Sequence, residues 1–327
     1  MLSLRRGTVT GIDERHEGLV RLQVDGRPCV AYPRLTGPVA LGDDVIVNIQ
    51  AVELDLGSGG FDIVYANLTR GLDLKAEPGT HVMKLPYTPM QFAEKHAEEG
   101  ADLPALVEGM PVVATSLHSQ LAPVCAALDG VSVAYVQLEG GALPVSLSDT
   151  VRALKERERL QLTIGAGACF DGDVDCVNVY SALAVARTQG ADAVVCGIGP
   201  GVVGTGTLLG HGGMAAALAI DAALELGGKP VLALRISERE SRERHRGVSH
   251  HSDAVLSLRG GSYRVAWPEG CPVEHPIAEG ADHVDVSDWR DACADLPLSH
   301  MGRGPDEDPW FFAASFAAGR LAKGLLT

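Results

Sequence analysis

From residue 111 to residue 236 the chain repeats one pattern, and that pattern restricts the fold more than any other feature. Apolar runs at 111–115, 131–137, 160–164, 193–198 and 230–236 alternate with helix-like stretches at 121–128, 148–159, 174–189 and 213–226. The runs are continuous rather than polar at every second residue, so both faces of each strand are apolar. Such strands are buried on both sides, as in a parallel sheet covered by helices on each face. The sequence therefore predicts an α/β domain over residues 76–327, with three layers and a mostly parallel sheet. It also predicts a helix over 90–99, β-like runs at 254–258 and 263–266, and a C-terminal helix from Pro309.

Residues 1–75 follow another rhythm. Short β-rich runs at 7–12, 19–24, 28–31, 44–50 and 61–66 are separated by turn signals at Asp25-Gly26, Gly42-Asp43 and Gly57-Ser58-Gly59-Gly60. Five short strands in so short a stretch predict a small N-terminal β-barrel of OB- or SH3-like kind. With 27 Lys and Arg against 42 Asp and Glu, the net charge is −15. That balance argues against nucleic acid and against anionic membranes as partners. The expected role of the barrel is structural, as a homo-oligomerising or partner-binding module. No apolar run spans a bilayer without interruption. The seven cysteines form no C-x-x-C pair, and reduced thiols without a signal-like segment point to the cytoplasm.

In a doubly covered parallel sheet, ligands collect beyond the carboxyl ends of the strands. The predicted loops there carry four constellations. The first is the glycine-rich segment 199–210, whose Gly199, Gly201 and Gly204 match G-x-G-x-x-G, with Gly206, Thr205 and Thr207 following. Backbone N–H groups in such a loop suit an anionic ligand. A dinucleotide site fits poorly, because the next helix starts late and the acid that should follow lies too far on. No Gly-Lys-Ser/Thr follows, so a P-loop is excluded. The second is 235–253, with five arginines and three histidines. Arg235 and Arg246 are candidate anion ligands, and His250 and His251 open a candidate ligand loop. Residues 238–244 read instead as a solvated, salt-bridged helix, on which Arg239, Arg242 and Arg246 would share a face.

The third constellation is 115–120, where His118 is a candidate general base and Ser119 a loosely placed nucleophile without the flanking glycines of G-x-S-x-G. The fourth is Asp171, Asp173 and Asp175, read as opening a helix. Capping by the helix dipole accounts for one or two of them. A divalent metal held by Asp173, His250 and His251 is the sharper alternative, with His118, His211 and the other aspartates of 171–175 on loops of the same predicted edge.

Four segments together resemble a bacterial family catalogued as domain of unknown function 3866: 116–123, 199–207, 244–251 and His300-Met-Gly-Arg-Gly304. The resemblance spans most of the chain and implies no activity, cofactor or site residue. The residues themselves support two classes. One is an enzyme, hydrolase-like, acting on a small anionic and perhaps phosphorylated metabolite, with residues 199–207 cradling the anion and His118 or His250 moving a proton. The other is a non-catalytic binding or sensor protein using the same loop for its ligand and the barrel for a partner.

Overall fold

A computed structural model of the chain describes residues 2–55, 59–258 and 263–326. The Gly57-Ser58 part of one expected turn lies outside them. The chain divides into two compact units, Met1–Lys95 and His96–Thr327, so the boundary falls twenty residues beyond the one read from sequence.

In the first unit, β1 (Leu4–His16), β2 (Leu19–Val24), β3 (Arg27–Ala31), the single-turn α1 (Pro33–Thr36), β4 (Asp44–Asn48), the single-turn α2 (Gln50–Glu53) and β5 (Asp62–Asn67) succeed one another. The strands close into the expected barrel in the order β1-β2-β3-β5-β4. Its only parallel pair is β3 with β5. Asp25 and Gly26 both have positive φ, 52° and 74°, the primed turn that matches strand twist in a tight hairpin. Val9, Val20, Leu22, Val24, Val45, Val47 and Val64 fill the interior. The buried Asp43 accepts hydrogen bonds from Asn67 Nδ2 (2.9 Å), Arg70 Nε (2.8 Å) and the Ala40 N–H (2.9 Å), fastening the turn before β4 to the end of β5. The hairpin β6 (Val82–Lys84) and β7 (Phe92–Glu94) completes the unit. The helix expected over 90–99 is thus replaced by a strand. Pairing with β6 and an ion pair from Glu94 to Arg34 outweigh its helical composition.

The second unit runs β8 (Pro111–Ala114), α3 (Leu121–Ala127), β9 (Val133–Leu138), α4 (Asp149–Glu156), β10 (Leu162–Ala166), β11 (Val174–Cys176), α5 (Val179–Thr188), β12 (Ala193–Ile198), α6 (Ala215–Glu225), β13 (Lys229–Leu232), β14 (Ile236–Ser237), β15 (Gly247–Val248), α7 (His250–Leu258), β16 (Arg264–Pro268), β17 (Asp282–Val284), α8 (Trp289–Ala292) and α9 (Pro309–Gly324). Eight strands form one sheet in the order β11-β10-β9-β12-β8-β13-β16-β17, and every pairing in it is parallel. One face packs against α5, α6 and α7. The other packs against α3, α4, α8 and α9, with Phe311, Phe312 and Phe316 of α9 fully buried. Each such phenylalanine is worth about 1.5–3 kcal/mol of transfer free energy. A Cβ at Gly319 of α9 would lie 2.4 Å from the Val124 carbonyl oxygen, so glycine there permits the close approach of α9 to α3.

Two local readings need correction. The helix expected from 174 starts at Val179, because Asn178 caps it, its Oδ1 accepting from the N–H groups of Tyr180 and Ser181. Residues 174–176 are drawn into the sheet as β11. The β-like run at 254–258 is the end of α7. Ser249 accepts the His251 N–H (3.2 Å) and starts that helix, as serine does at an N-terminus.

Candidate functional site

In the sheet, β8 lies between β12 and β13. The helix after β8 covers one face, and the helices after β12 and β13 cover the other. Adjacent strands whose connections leave to opposite faces open a crevice at their carboxyl ends. Segments 115–120, 199–214, 233–252 and 300–308 meet there. Gln120 Nε2 donates to the carbonyls of Ala233 and Leu234, both at 3.1 Å. Ser119 Oγ lies 3.2 Å from His300 Nδ1, and Arg303 reaches Glu240 at 3.1 Å.

Four histidines pack together in this place. His211 caps the 3-10 turn Gly212–Met214 before α6, His245 ends the turn Glu243–His245, and His250 and His251 open α7. Adjacent helical residues point about 100° apart, so the pair reaches one site only because it sits at a helix end. Ring centroids are 4.0 Å apart for His211 and His251, 4.5 Å for His250 with His251 and with His245, 4.9 Å for His245 and His251, and 5.1 Å for His211 and His250. One ring nitrogen from each of His211, His250 and His251 lies within 4.8 Å of the other two.

The hydrogen bonds fix several ring states. A carbonyl only accepts, so His211 Nε2 donates to the Leu208 carbonyl at 3.0 Å and Nδ1 keeps its lone pair. That Nδ1 is buried and unpartnered, as are both ring nitrogens of His250. His251 Nδ1 faces Arg235 Nη1 at 3.4 Å, and His245 Nδ1 meets Ser249 Oγ at 2.7 Å. Burial, followed by repulsion from Arg235, Arg242, Arg244 and the neighbouring rings, holds His245 down at about 3. Burial, then His211 and Arg235, holds His251 at about 2. His211 and His250 are lowered by burial as well. In all four the shift favours the neutral imidazole.

The arginines divide sharply. Residues 238–244 do not form the solvated helix read from sequence; they turn between β14 and β15, and Glu240 is buried. Its carboxylate takes Arg235 (3.4 Å), Arg242 (3.0 Å) and Arg303 (3.1 Å), and the Arg242 guanidinium first of all holds it well below the usual carboxylate range. Arg303 also pairs with Asp308 at 3.1 Å, which accepts from Ser237 Oγ at 2.7 Å. Arg235, expected to carry ligand charge, is thus enclosed, and burial lowers it to about 10. Arg246 is exposed, its Nε 3.3 Å from the Glu240 carbonyl. Arg244, like Arg239 and Arg246, is exposed and has no ion pair among the described residues, and unlike Arg246 it has no hydrogen bond there either. Its guanidinium would lie 3.8–4.0 Å from a Cβ built at Gly206.

The glycine-rich loop has its own explanation. A Cβ at Gly199 would meet the Ala142 carbonyl oxygen at 2.1 Å, and one at Gly212 the Gly140 oxygen at 1.9 Å. These glycines let the loops after β9 and β12 stack backbone on backbone. Gly201 and Gly206 have positive φ, 74° and 80°, while Gly204 pairs with His211. Thr205 and Thr207 bond to each other (2.9 Å) and to Gly210, so both hydroxyls close the loop on itself. Residues 201–210 are nonetheless exposed throughout.

His118 stands apart from the cluster. Its Nδ1 donates to the Ile198 carbonyl (3.2 Å), and its Nε2 accepts from Ser148 Oγ (2.6 Å), which itself accepts the Val151 N–H (2.9 Å). Burial lowers it to about 4. With both nitrogens engaged, it joins β12 to α4. Ser119 pairs not with His118 but with His300, whose ring stacks on Phe311 at 3.7 Å. Burial and the charges of Arg235 and Arg303 push His300 to about 3, too weak a base to activate a serine near neutral pH.

Asp173 does not reach the histidines. It pairs with Lys155 and accepts from Thr163 N–H (2.8 Å), beside the first residues of β10, whereas the histidines lie beyond strand ends. The segment after β10 runs back along that strand to start β11. Asp171 meets Ser146 Oγ (2.8 Å) and Asp175 is buried in β11, so none of the three caps α5.

Fold and site thus define a parallel α/β protein with a histidine-lined carboxyl edge and an N-terminal barrel. The chain belongs to the family described as Protein of unknown function (DUF3866), whose model matches residues 28–319, taking in part of the barrel as well as the sheet. No curated protein matches it. No helix among the described residues is long and apolar enough to cross a membrane.

His300, Arg303, Glu240 and Asp308 were not singled out as site residues from the sequence. Only the His300–Gly304 motif hinted at the first two. His211 is among the residues that the sequence places on the same predicted edge as His250 and His251, and the structure brings all three together.

Proposed function

We propose that the carboxyl edge of the eight-stranded sheet binds a small anionic metabolite, and that the protein is an enzyme acting on it by hydrolysis. The observation that carries this reading is Arg244. In a chain of net charge −15, this guanidinium has no acidic partner among the described residues and lies against Gly206, beside the histidine cluster. Arginine forks suit carboxylate and phosphate. The Gly206 N–H, which has no acceptor within the described residues, supplies a neighbouring donor. Arg235 is engaged by Glu240, so Arg244 takes its place beside Arg246 as an anion ligand.

One observation favours the rival reading, a non-catalytic binding protein. His118, His245, His251 and His300 sit at about 4, 3, 2 and 3, and a general base works best with a pKa near the operating pH.

A thermal-shift panel of phosphorylated and carboxylated metabolites, on the wild type and Arg244→Gln, tests the site. A ligand that raises the wild-type Tm and loses at least tenfold in affinity in the variant supports it. Turnover of that ligand supports the enzyme reading, and binding without turnover supports the rival. If no anion shifts the wild type, or the variant shifts equally, the reading falls.

A further inference from the structure

The histidine cluster has a property that anion binding does not explain. Three buried nitrogens, His211 Nδ1 and both of His250, have no hydrogen-bond partner. An unpaired buried polar atom is destabilising, and native structures rarely keep several side by side. His211 is more than nine-tenths buried, and a ring nitrogen of it lies within 4.8 Å of one on each of His250 and His251. Its opposite nitrogen donates to the Leu208 carbonyl, the partner that metal-ligating histidines usually have.

The geometry points to a divalent transition-metal site formed by His211, His250 and His251. Their ligand atoms already lie within 4.8 Å of one another. A tetrahedral ion with metal–nitrogen bonds of about 2.0–2.1 Å would hold them about 3.3 Å apart. Closing the site therefore takes a movement of about 1.5 Å or less per pair, within reach of imidazole rotation. The donor set selects the ion. Three imidazoles without carboxylate or thiolate suit Zn²⁺, Co²⁺, Ni²⁺ or Cu²⁺ and disfavour Mg²⁺ and Ca²⁺. Three protein ligands leave a position open, the arrangement of catalytic rather than structural zinc. Arg235, 3.4 Å from His251 Nδ1, is compensated by Glu240. Arg244 lies beside the cluster, where it would attract an anion to the open position.

The site takes over the metal role read from sequence for Asp173, His250 and His251, keeping the two histidines and exchanging the aspartate for His211. It also goes beyond the proposed function, because a bound ion would lower the pKa of a coordinated water toward neutrality. That supplies the hydrolytic group which none of the imidazoles provides.

The test uses the full chain, stripped with a chelator and titrated with Co²⁺ followed optically and with Zn²⁺ followed by calorimetry. One ion per chain is expected, with the visible bands of low-symmetry, four- or five-coordinate Co²⁺. His211→Ala and His250→Asn should each weaken Zn²⁺ binding about 100-fold or more. Should His211→Ala fail to fold, His250→Asn decides alone, since His250 is partly exposed and bonds to nothing. His118→Ala serves as the control and should bind as wild type. Absence of saturable binding, or binding that survives His250→Asn, overturns the site. These readouts need no substrate, so a metal bound without any anion shift would leave this inference standing while the proposed function fell.

Discussion

Two histidine environments lie at the same sheet edge and differ in one respect. At the end of β8, His118 gives both ring nitrogens to defined partners, a carbonyl on β12 and a serine that also caps α4. Beyond β12 and β13, His211 and His250 leave three nitrogens buried and unpaired. Burial lowers both groups and favours the neutral imidazole in each. Hydrogen-bond completion, not residue type or pKa, separates a histidine that holds the fold together from one held ready for a ligand. Stability should follow the satisfied groups and binding the unsatisfied ones.

The strongest way to break this comparison is Glu240→Ala. Glu240 is satisfied three times over, by Arg235, Arg242 and Arg303. Its removal leaves Arg235 buried with no carboxylate. Losing one partner of a buried pair typically costs about 3–5 kcal/mol, read as a fall in the denaturant midpoint at constant m. A loss under about 1 kcal/mol would mean that the network is solvated, and the division between satisfied and ready groups would fail at its largest instance.

Glu240 also shows what sequence reading can and cannot reach. The strands were legible because a doubly covered parallel sheet needs continuous apolar runs, and those at 111–115 and 193–198 fall within a residue of β8 and β12. The barrel was legible from turn residues such as Asp25-Gly26. The segment 238–244 reads as a solvated helix because interleaved Glu and Arg look alike whether solvated or folded inward. Only Arg303, some sixty residues on, decides which holds. The glycines of 199–210 read as an anion cradle; that Gly199 is also needed where its backbone meets the Ala142 carbonyl on another loop has no local signal. The doublet His250-His251 was visible. That His211 shares its sheet edge follows from the strand pattern; that their rings meet depends on α6 and α7 starting side by side, a tertiary fact.

A smaller effect is expected at His118. His118→Ala removes two hydrogen bonds and leaves Ser148 without its imidazole partner, at about 1–3 kcal/mol, with Zn²⁺ binding unchanged. The pH response sharpens the test. The folded value of about 4 lies below the ordinary 6.5, so the unfolded chain takes up the proton first. Stability from neutral His118 is therefore complete above about pH 6.5 and declines as pH falls toward 4. Tyr135, 3.4 Å from Nδ1, stays protonated throughout this window, its own pKa raised by burial. Chemical denaturation of metal-free protein at pH 7 and pH 5 should show a smaller acid loss in His118→Ala than in wild type. Equal losses would place the proton elsewhere.

The smallest effect on stability belongs to His250, and it is the most discriminating. His250 is partly exposed and neither of its nitrogens is bonded, so metal-free His250→Asn forfeits no hydrogen bond. It should be at least as stable as the metal-free wild type, because the unpaired buried ring nitrogens are gone. Added Zn²⁺ should then separate the two proteins. A ligand that binds only the native state stabilises by RT ln(1 + [L]/Kd), about 2.7 kcal/mol at a hundredfold excess over Kd, and this rise should appear in wild type and vanish in the variant. A metal-free variant that melts well below wild type would make His250 a structural residue like His118, and the contrast between the two environments would disappear.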